Sequence, residues 1–141
     1  MEYIIKNLEE LEQFGYKIGN ALKGNELIGL KGNLGAGKTT LTKYIAKALG
    51  VKEEIISPTF NIIKIYETKF GELYHIDAYR LENLGYDPIL DDYIFNDNAI
   101  KIIEWFNFLD DDIFSENSIT ISIEVLDDNS RKIVIKGDLY V

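Results

Sequence analysis

The sequence has no cysteine, so it holds neither a disulfide framework nor a metal site built on thiolates. It has one histidine, His75, and two prolines, Pro58 and Pro88. It also lacks any apolar run approaching the roughly 20 residues needed to cross a bilayer, so no contact with a membrane is expected. Met1 to Lys6 is too short for a signal peptide, and the chain turns acidic and amphipathic from Asn7. A cytoplasmic location is the default expectation. Positive charge is scarce: the net charge is −9. Because lysine and arginine contacts to phosphate dominate affinity for nucleic acid, any link to nucleic acid is expected to pass through a partner protein. What remains is an ordinary globular composition, 46% hydrophobic and 28% charged. Its 141 residues suit a single domain spanning 1–141.

One stretch stands out against this background. Gly32 to Thr40 reads Gly-Asn-Leu-Gly-Ala-Gly-Lys-Thr-Thr. Gly32, Gly37, Lys38 and Thr39 fit the G-x-x-x-x-G-K-[ST] phosphate loop, a match expected by chance on the order of once per few hundred chains of this length. Glu26 to Lys31 reads as a short strand entering the loop. Lys38 to Leu49 carries apolar residues at Leu41, Tyr44, Ile45, Ala48 and Leu49, a helical spacing. Strand, glycine loop and helix are the context the motif needs. Glycines let backbone N–H groups converge on an anion, and the helix start adds its positive end. In this pattern Leu34, Gly35, Ala36, Gly37, Lys38, Thr39 and Thr40 cradle the phosphates of ATP. The Lys38 ammonium reaches the β- and γ-phosphates, and the Thr39 hydroxyl sits on Mg²⁺.

Around the loop, the pattern predicts an opening strand over Tyr3 to Lys6. Asn7 with Glu10 approximates a capping box, and Leu11, Phe14, Ile18 and Leu22 mark the core face of a helix ending near Gly24. After Pro58 a strand runs to Tyr66; Glu67 to Gly71 links it to Glu72–Ile76, and so short a link implies an antiparallel hairpin. Glu82 to Asn98 reads as short helices or loops. Ala99 to Ile103 is a further apolar run. Phe106 to Asn117 reads as a solvated acidic loop. Ser118 to Val125 alternates, with Ile119, Ile121, Ile123 and Val125 on one face, and returns through Arg131 to Lys136. The expected architecture is α/β: a central mixed, mostly parallel sheet flanked by helices, of the P-loop NTPase kind.

Hydrolysis needs a carboxylate at the end of a neighbouring strand, where open α/β sheets form their ligand crevice. Two apolar strands end in one: Leu73-Tyr74-His75-Ile76-Asp77 and Ile100-Lys101-Ile102-Ile103-Glu104. Asp77, Glu104 and Lys38 are therefore the candidate catalytic residues. His75, inside a strand, reads as a packed or hydrogen-bonded histidine rather than a catalytic one. Thr59 fits either a switch threonine or a turn hydroxyl, and Trp105 either core or a cover for the site. No Asn-Lys-x-Asp sequence occurs, so the guanine-reading motif is absent and adenine is the default base. A small-molecule kinase on the same fold is the alternative. The two arginines, Arg80 and Arg131, weigh against it, because such kinases close arginine-rich lids over the transferred phosphate.

Four motifs together resemble one family, the TsaE (YjeE) ATPases of bacterial tRNA threonylcarbamoyladenosine synthesis. They are the loop at Gly32 to Thr40, Ser57-Pro58-Thr59-Phe60, His75-Ile76-Asp77-Ala78-Tyr79-Arg80-Leu81 and Ile103-Glu104-Trp105. The likeness runs from about Tyr3 to Lys136. It implies a Mg²⁺-dependent ATPase that serves the TsaB–TsaD pair; the edge strands and acidic surface of the chain suggest a monomer when isolated. That pair transfers a threonylcarbamoyl group to the adenosine beside the tRNA anticodon, so tRNA is met only indirectly. The resemblance further implies that Thr39 and Glu104 hold Mg²⁺, that Asp77 supports hydrolysis and that the segment after Ser57 acts as a switch. The chain departs from the family pattern at Asn33, where aspartate is commoner, at Leu11, where many members carry threonine, and at Phe106-Asn107-Phe108.

Overall fold

The computed structural model describes residues 1–33, 35–55, 63–78, 88, 90–104 and 118–141. Within them the chain runs β1 (Glu2–Ile5), α1 (Leu8–Ala21), β2 (Leu27–Gly32), α2 (Lys38–Ala48), β3 (Ile63–Thr68), β4 (Gly71–Asp77), α3 (Leu90–Ile94), β5 (Ala99–Glu104), β6 (Ile119–Val125) and β7 (Arg131–Lys136). The strands form one sheet in the order β1-β7-β6-β2-β5-β4-β3. The three central pairings, β6–β2, β2–β5 and β5–β4, are parallel. The three outer pairings are antiparallel. The expected mixed α/β sheet is thus present, with its parallel part at the centre and the phosphate-loop strand β2 in the middle.

Side-chain alternation with period two sorts the sheet into two faces. One face carries Ile28 and Leu30 of β2, Ile100 and Ile102 of β5, and the isoleucines 119, 121 and 123 of β6. It packs against Leu11, Phe14 and Ile18 of α1 and Leu41 and Ile45 of α2. Tyr74, Ile76 and Ile103 face the other way and pack with Leu90 and Ile94 of α3. β5 is buried along its whole length, as expected of a central parallel strand covered on both faces. Each fully buried leucine, isoleucine or phenylalanine is worth roughly 1.5–3 kcal/mol, so this two-sided burial fixes the strand order.

Local chemistry explains the element ends. Asn7 caps α1 by accepting the Glu10 N–H at 2.8 Å, while the Glu10 carboxylate takes the Lys6 N–H at 2.9 Å. This is a capping box displaced by one residue at its second bond. The β3–β4 link is tighter than the five residues expected: Thr68 pairs with Gly71, leaving two residues between the strands. The Thr68 hydroxyl closes it, accepting the Phe70 N–H and donating to the Gly71 carbonyl. Val125 departs from its expected place on the inward face of β6 and is 48% exposed, because the strand runs past the edge of the core there. Ser57 to Phe60, Tyr79 to Leu81 and Trp105 to Asn117 lie outside the described residues, as does Leu34.

α1 approaches α2 closely because Gly15 and Gly19 face it. A Cβ at Gly15 would stand 2.5 Å from Tyr44 Cβ, and one at Gly19 would stand 2.5 Å from Ala48 Cβ and 2.7 Å from the Ile45 carbonyl oxygen. No other residue fits at that separation. The seat of α2, and with it the start of the helix that follows the phosphate loop, is set by this contact.

Candidate nucleotide site

β2 delivers the chain to the loop, and Gly37 turns it into α2. Gly37 is the N-cap of α2 with φ +110°, a backbone conformation that disfavours any side chain. The Ala36 N–H donates to the Asn33 carbonyl at 3.0 Å, and the Leu41 N–H to the Gly37 carbonyl at 2.8 Å. Where α1 is closed by Asn7 and carries Glu9 and Glu10 in its first turn, α2 has no side-chain cap and no acid in its first turn. The start of α2 thus turns the positive end of the helix dipole toward the loop with no side-chain carboxylate of its own to offset it. Gly35, Gly37 and Thr40 line one wall of a cavity beside the loop.

Lys38 is buried and its Nζ donates to the Gly32 carbonyl at 2.5 Å. Burial lowers its pKa from the ordinary lysine value, and the carboxylates of Glu104 and Asp77 act in the opposite direction. The two carboxylates are neighbours by register: Asp77 at the end of β4 pairs with Glu104 at the end of β5. Alternation puts Asp77 on the face of His75 and Leu73, and Glu104 on the face of Ile102 and Ile100, which is the face covered by α1 and α2. The Thr39 hydroxyl, on the first turn of α2, lies 3.3 and 3.4 Å from the two Glu104 carboxylate oxygens. On its other side Glu104 Oε2 is 2.5 Å from His75 Nε2, and both side chains are almost wholly buried. The expected set of Lys38, Thr39, Asp77 and Glu104 is thus gathered at one place, the carboxyl end of the parallel strands.

The chemistry of this set fits a small hard cation. A hydroxyl and a carboxylate are oxygen donors of the kind Mg²⁺ takes, and Mg²⁺ is usually held by one or two carboxylates plus substrate phosphates and water. Among the described residues no group of three histidine, cysteine, aspartate or glutamate side chains could hold a metal by itself.

Beside the loop lies a cavity of about 270 Å³, floored by Ile5, Leu8 and Leu11 and rimmed by Thr40, Asn129 and Arg131. Arg131 joins the loop to the β6–β7 turn. Its Nε donates to the Ala36 carbonyl at 3.1 Å, and its Nη1 to the carbonyls of Asp127 at 3.1 Å and Ser130 at 3.0 Å. Asp127 in turn accepts the N–H groups of Asn129 and Ser130, which hold its carboxyl below the usual carboxylate range. Sequence reasoning missed this wall. Asn129 and Arg131 belong to no motif, and nothing local shows that residues 95 positions apart meet.

A family model described as threonylcarbamoyl adenosine biosynthesis protein TsaE matches residues 5–133. The chain belongs to the TsaE family. Among TsaE proteins, that of Aquifex aeolicus is 38% identical over 134 residues, covering 94% of this chain and 92% of its own. That of Treponema pallidum is 32% identical over 137 residues, covering 96% and 99%. Both are named tRNA threonylcarbamoyladenosine biosynthesis protein TsaE. The crystal structure of YdiB from Bacillus subtilis superposes with a TM-score of 0.79 at 29% identity, over 96% of this chain and 83% of that one. Of the TsaE motifs read from the sequence, the described residues include the loop apart from Leu34, the segment His75 to Ala78, and Ile103 with Glu104.

Proposed function

We propose that this chain is a Mg²⁺-dependent ATPase that supports threonylcarbamoylation of the tRNA adenosine next to the anticodon, a transfer carried out by a TsaB–TsaD-type partner complex. The observation that carries the reading is the meeting of Thr39 with Glu104, beside Lys38, in a chain of the TsaE family. Residues Leu34 to Thr40 receive the triphosphate, and Lys38 exchanges its bond to the Gly32 carbonyl for the β- and γ-phosphate oxygens. Thr39 and Glu104 hold Mg²⁺, which when bound neutralises charge on those phosphates. Asp77, beside Glu104, supports hydrolysis by orienting water. The cavity lined by Leu11 and Arg131 receives the adenosine end of the nucleotide, its apolar side chains suiting a flat base. With a net charge of −9, the chain meets tRNA through its partners. It works in the cytoplasm as a monomer until those partners bind. No helix among the described residues is long and apolar enough to cross a membrane.

The kinase alternative is less well supported. Arg131 is tied to three carbonyls of the loop and hairpin, so it is not free to close over a transferred phosphate. The deciding experiment is phosphate release from Mg·ATP by the purified protein, alone and with the TsaB–TsaD pair, with GTP and Lys38→Ala as controls. Slow turnover that is specific for ATP, altered by the pair and lost in Lys38→Ala is expected. Fast turnover indifferent to the pair refutes the tRNA-modification role, and phosphate transfer to a small-molecule acceptor replaces it with the kinase.

A further inference from the structure

The Glu104 carboxylate is buried at a strand end, between a hydroxyl on one side and an imidazole on the other. Asp77 stands directly opposite it in the β4–β5 register. A carboxylate so placed needs donors to be stable out of water, and a glutamate side chain needs a fixed partner to hold one rotamer. His75 stands two residues before Asp77 on β4, and pairs with Ile102, two residues before Glu104 on β5. The diagonal from His75 to Glu104 brings the ring to the carboxylate.

We propose that His75 is a positioning residue for Glu104: its Nε2–H donates to Oε2 and holds the carboxylate against the Thr39 hydroxyl. Which nitrogen donates follows from the core around the ring. His75 is 0% exposed, and its Nδ1 has no hydrogen-bond partner among the described residues. A hydrogen on Nδ1 would leave a buried donor without an acceptor and set the Nε2 lone pair against a carboxylate, two unfavourable terms. With the hydrogen on Nε2, only a lone pair is left unmatched. The role is to orient a metal ligand from behind, as partners of ligating carboxylates do. The functional part of the inference rests on the Mg·ATP reading above.

Two experiments test it. His75 is the sole histidine, so a long-range ¹H–¹⁵N spectrum of the metal-free protein reports this ring alone. A protonated Nε2 is expected, and an unprotonated Nε2 overturns the proposal. The second is calorimetric titration of Mg²⁺ into protein saturated with a non-hydrolysable ATP analogue. His75→Leu and His75→Asn, which place no donor at the Nε2 position, should weaken Mg²⁺ about 10–100-fold, whereas His75→Gln, whose amide nitrogen replaces Nε2, should stay within about threefold of the parent. Affinity for the analogue without Mg²⁺ should be unchanged in all three. Unchanged Mg²⁺ affinity in the donor-less variants, or an equal loss of Mg²⁺-free binding, overturns the positioning role. A parent protein that binds the analogue but no Mg²⁺ overturns the Mg·ATP reading and this inference together. Should His75→Leu not fold, the parent spectrum and the contrast between the Asn and Gln variants decide.

Discussion

Replacing Gly19 by alanine sets two effects of known size against each other. Alanine is favoured over glycine inside a helix by roughly 0.8–1.0 kcal/mol, and Gly19, in the last turn of α1, gains at most that much. Against this, the added Cβ would stand 2.5 Å from Ala48 Cβ and 2.7 Å from the Ile45 carbonyl oxygen. Carbon atoms in contact prefer about 3.5–4.0 Å, so α1 and α2 would have to separate by about 1 Å. The Ile45 carbonyl belongs to the helix backbone and cannot yield alone. Overpacking of this kind typically costs about 1–3 kcal/mol, and at 2.5 Å the upper half of that range applies. The net expectation is a loss of about 1–2 kcal/mol, which for a chain of this size lowers Tm by about 3–6 °C. Thermal denaturation followed by circular dichroism measures it. Asn20→Ala is the control: Asn20 is exposed on the same helix, so only the propensity gain operates and Tm should hold or rise. Because α2 begins with Lys38 and Thr39, Gly19→Ala should also weaken nucleotide binding while Asn20→Ala leaves it intact. A Gly19→Ala protein that melts at or above the Asn20→Ala protein refutes the argument that the helix contact is full.

Three further outcomes follow from the site. Glu104→Gln keeps the shape but removes the charge; nucleotide should still bind, while Mg²⁺-dependent phosphate release should fall about 10²-fold or more, the range for loss of one oriented electrostatic group. Arg131→Ala releases the Ala36 carbonyl from the β6–β7 turn, so ATP affinity should drop about tenfold in an equilibrium titration, and Arg131→Lys should not restore it because a lone ammonium cannot span the same carbonyls. Asp127→Asn tests the turn itself. Its pKa is lowered from 3.8, chiefly by the Asn129 and then the Ser130 N–H groups, so the charged form contributes stability above pH 3.8 that is lost as the pH falls through the folded value. Melting curves should show the parent above the Asn variant at neutral pH and the gap closing in acid; a constant gap would mean the charge plays no part.

Much of this was legible in the sequence where function imposes residue type on adjacent positions. The loop could be read because phosphate binding demands glycines, a lysine and a hydroxyl in fixed order, and α1 because Leu11, Phe14, Ile18 and Leu22 keep helical spacing and are all buried. Asp77 and Glu104 were legible as carboxylates ending apolar strands, though their pairing needed the β4–β5 register. Other features left no local trace. Gly15 and Gly19 look like ordinary helix-weakening residues until α2 is set against them. Lys101 interrupts the apolar run of β5, yet it is buried and donates to the carbonyls of Asn25 at 3.1 Å and Asn96 at 2.6 Å. Burial lowers its pKa; a pattern of apolar positions has no term for a lysine satisfied by backbone. Arg131 was counted in the sequence as one of two arginines, but its place against the phosphate loop depends on the sheet order β7-β6-β2.

The two halves of the candidate site therefore have independent structural origins. Lys38 and Thr39 are carried by α2, whose seat is set by the glycine contact with α1. Asp77 and Glu104 are carried by the sheet, where a one-residue slip between β4 and β5 would turn one carboxylate to the opposite face. The halves meet where the Thr39 hydroxyl donates to the Glu104 carboxylate across 3.3 Å, a long and weak hydrogen bond. Neither body forces the other into place through that contact alone. His75 is fixed in the sheet and buried, so its bond to Glu104 orients the carboxylate from the sheet side before anything binds. The separation across the contact is then decided by the packing of α1 on α2. A substitution at Gly19 should consequently damage the site without touching it, whereas one at His75 should damage it without moving the helices. Because both variants act on the one contact between Thr39 and Glu104, their combined effect on Mg²⁺ affinity should depart from the sum of the two single effects.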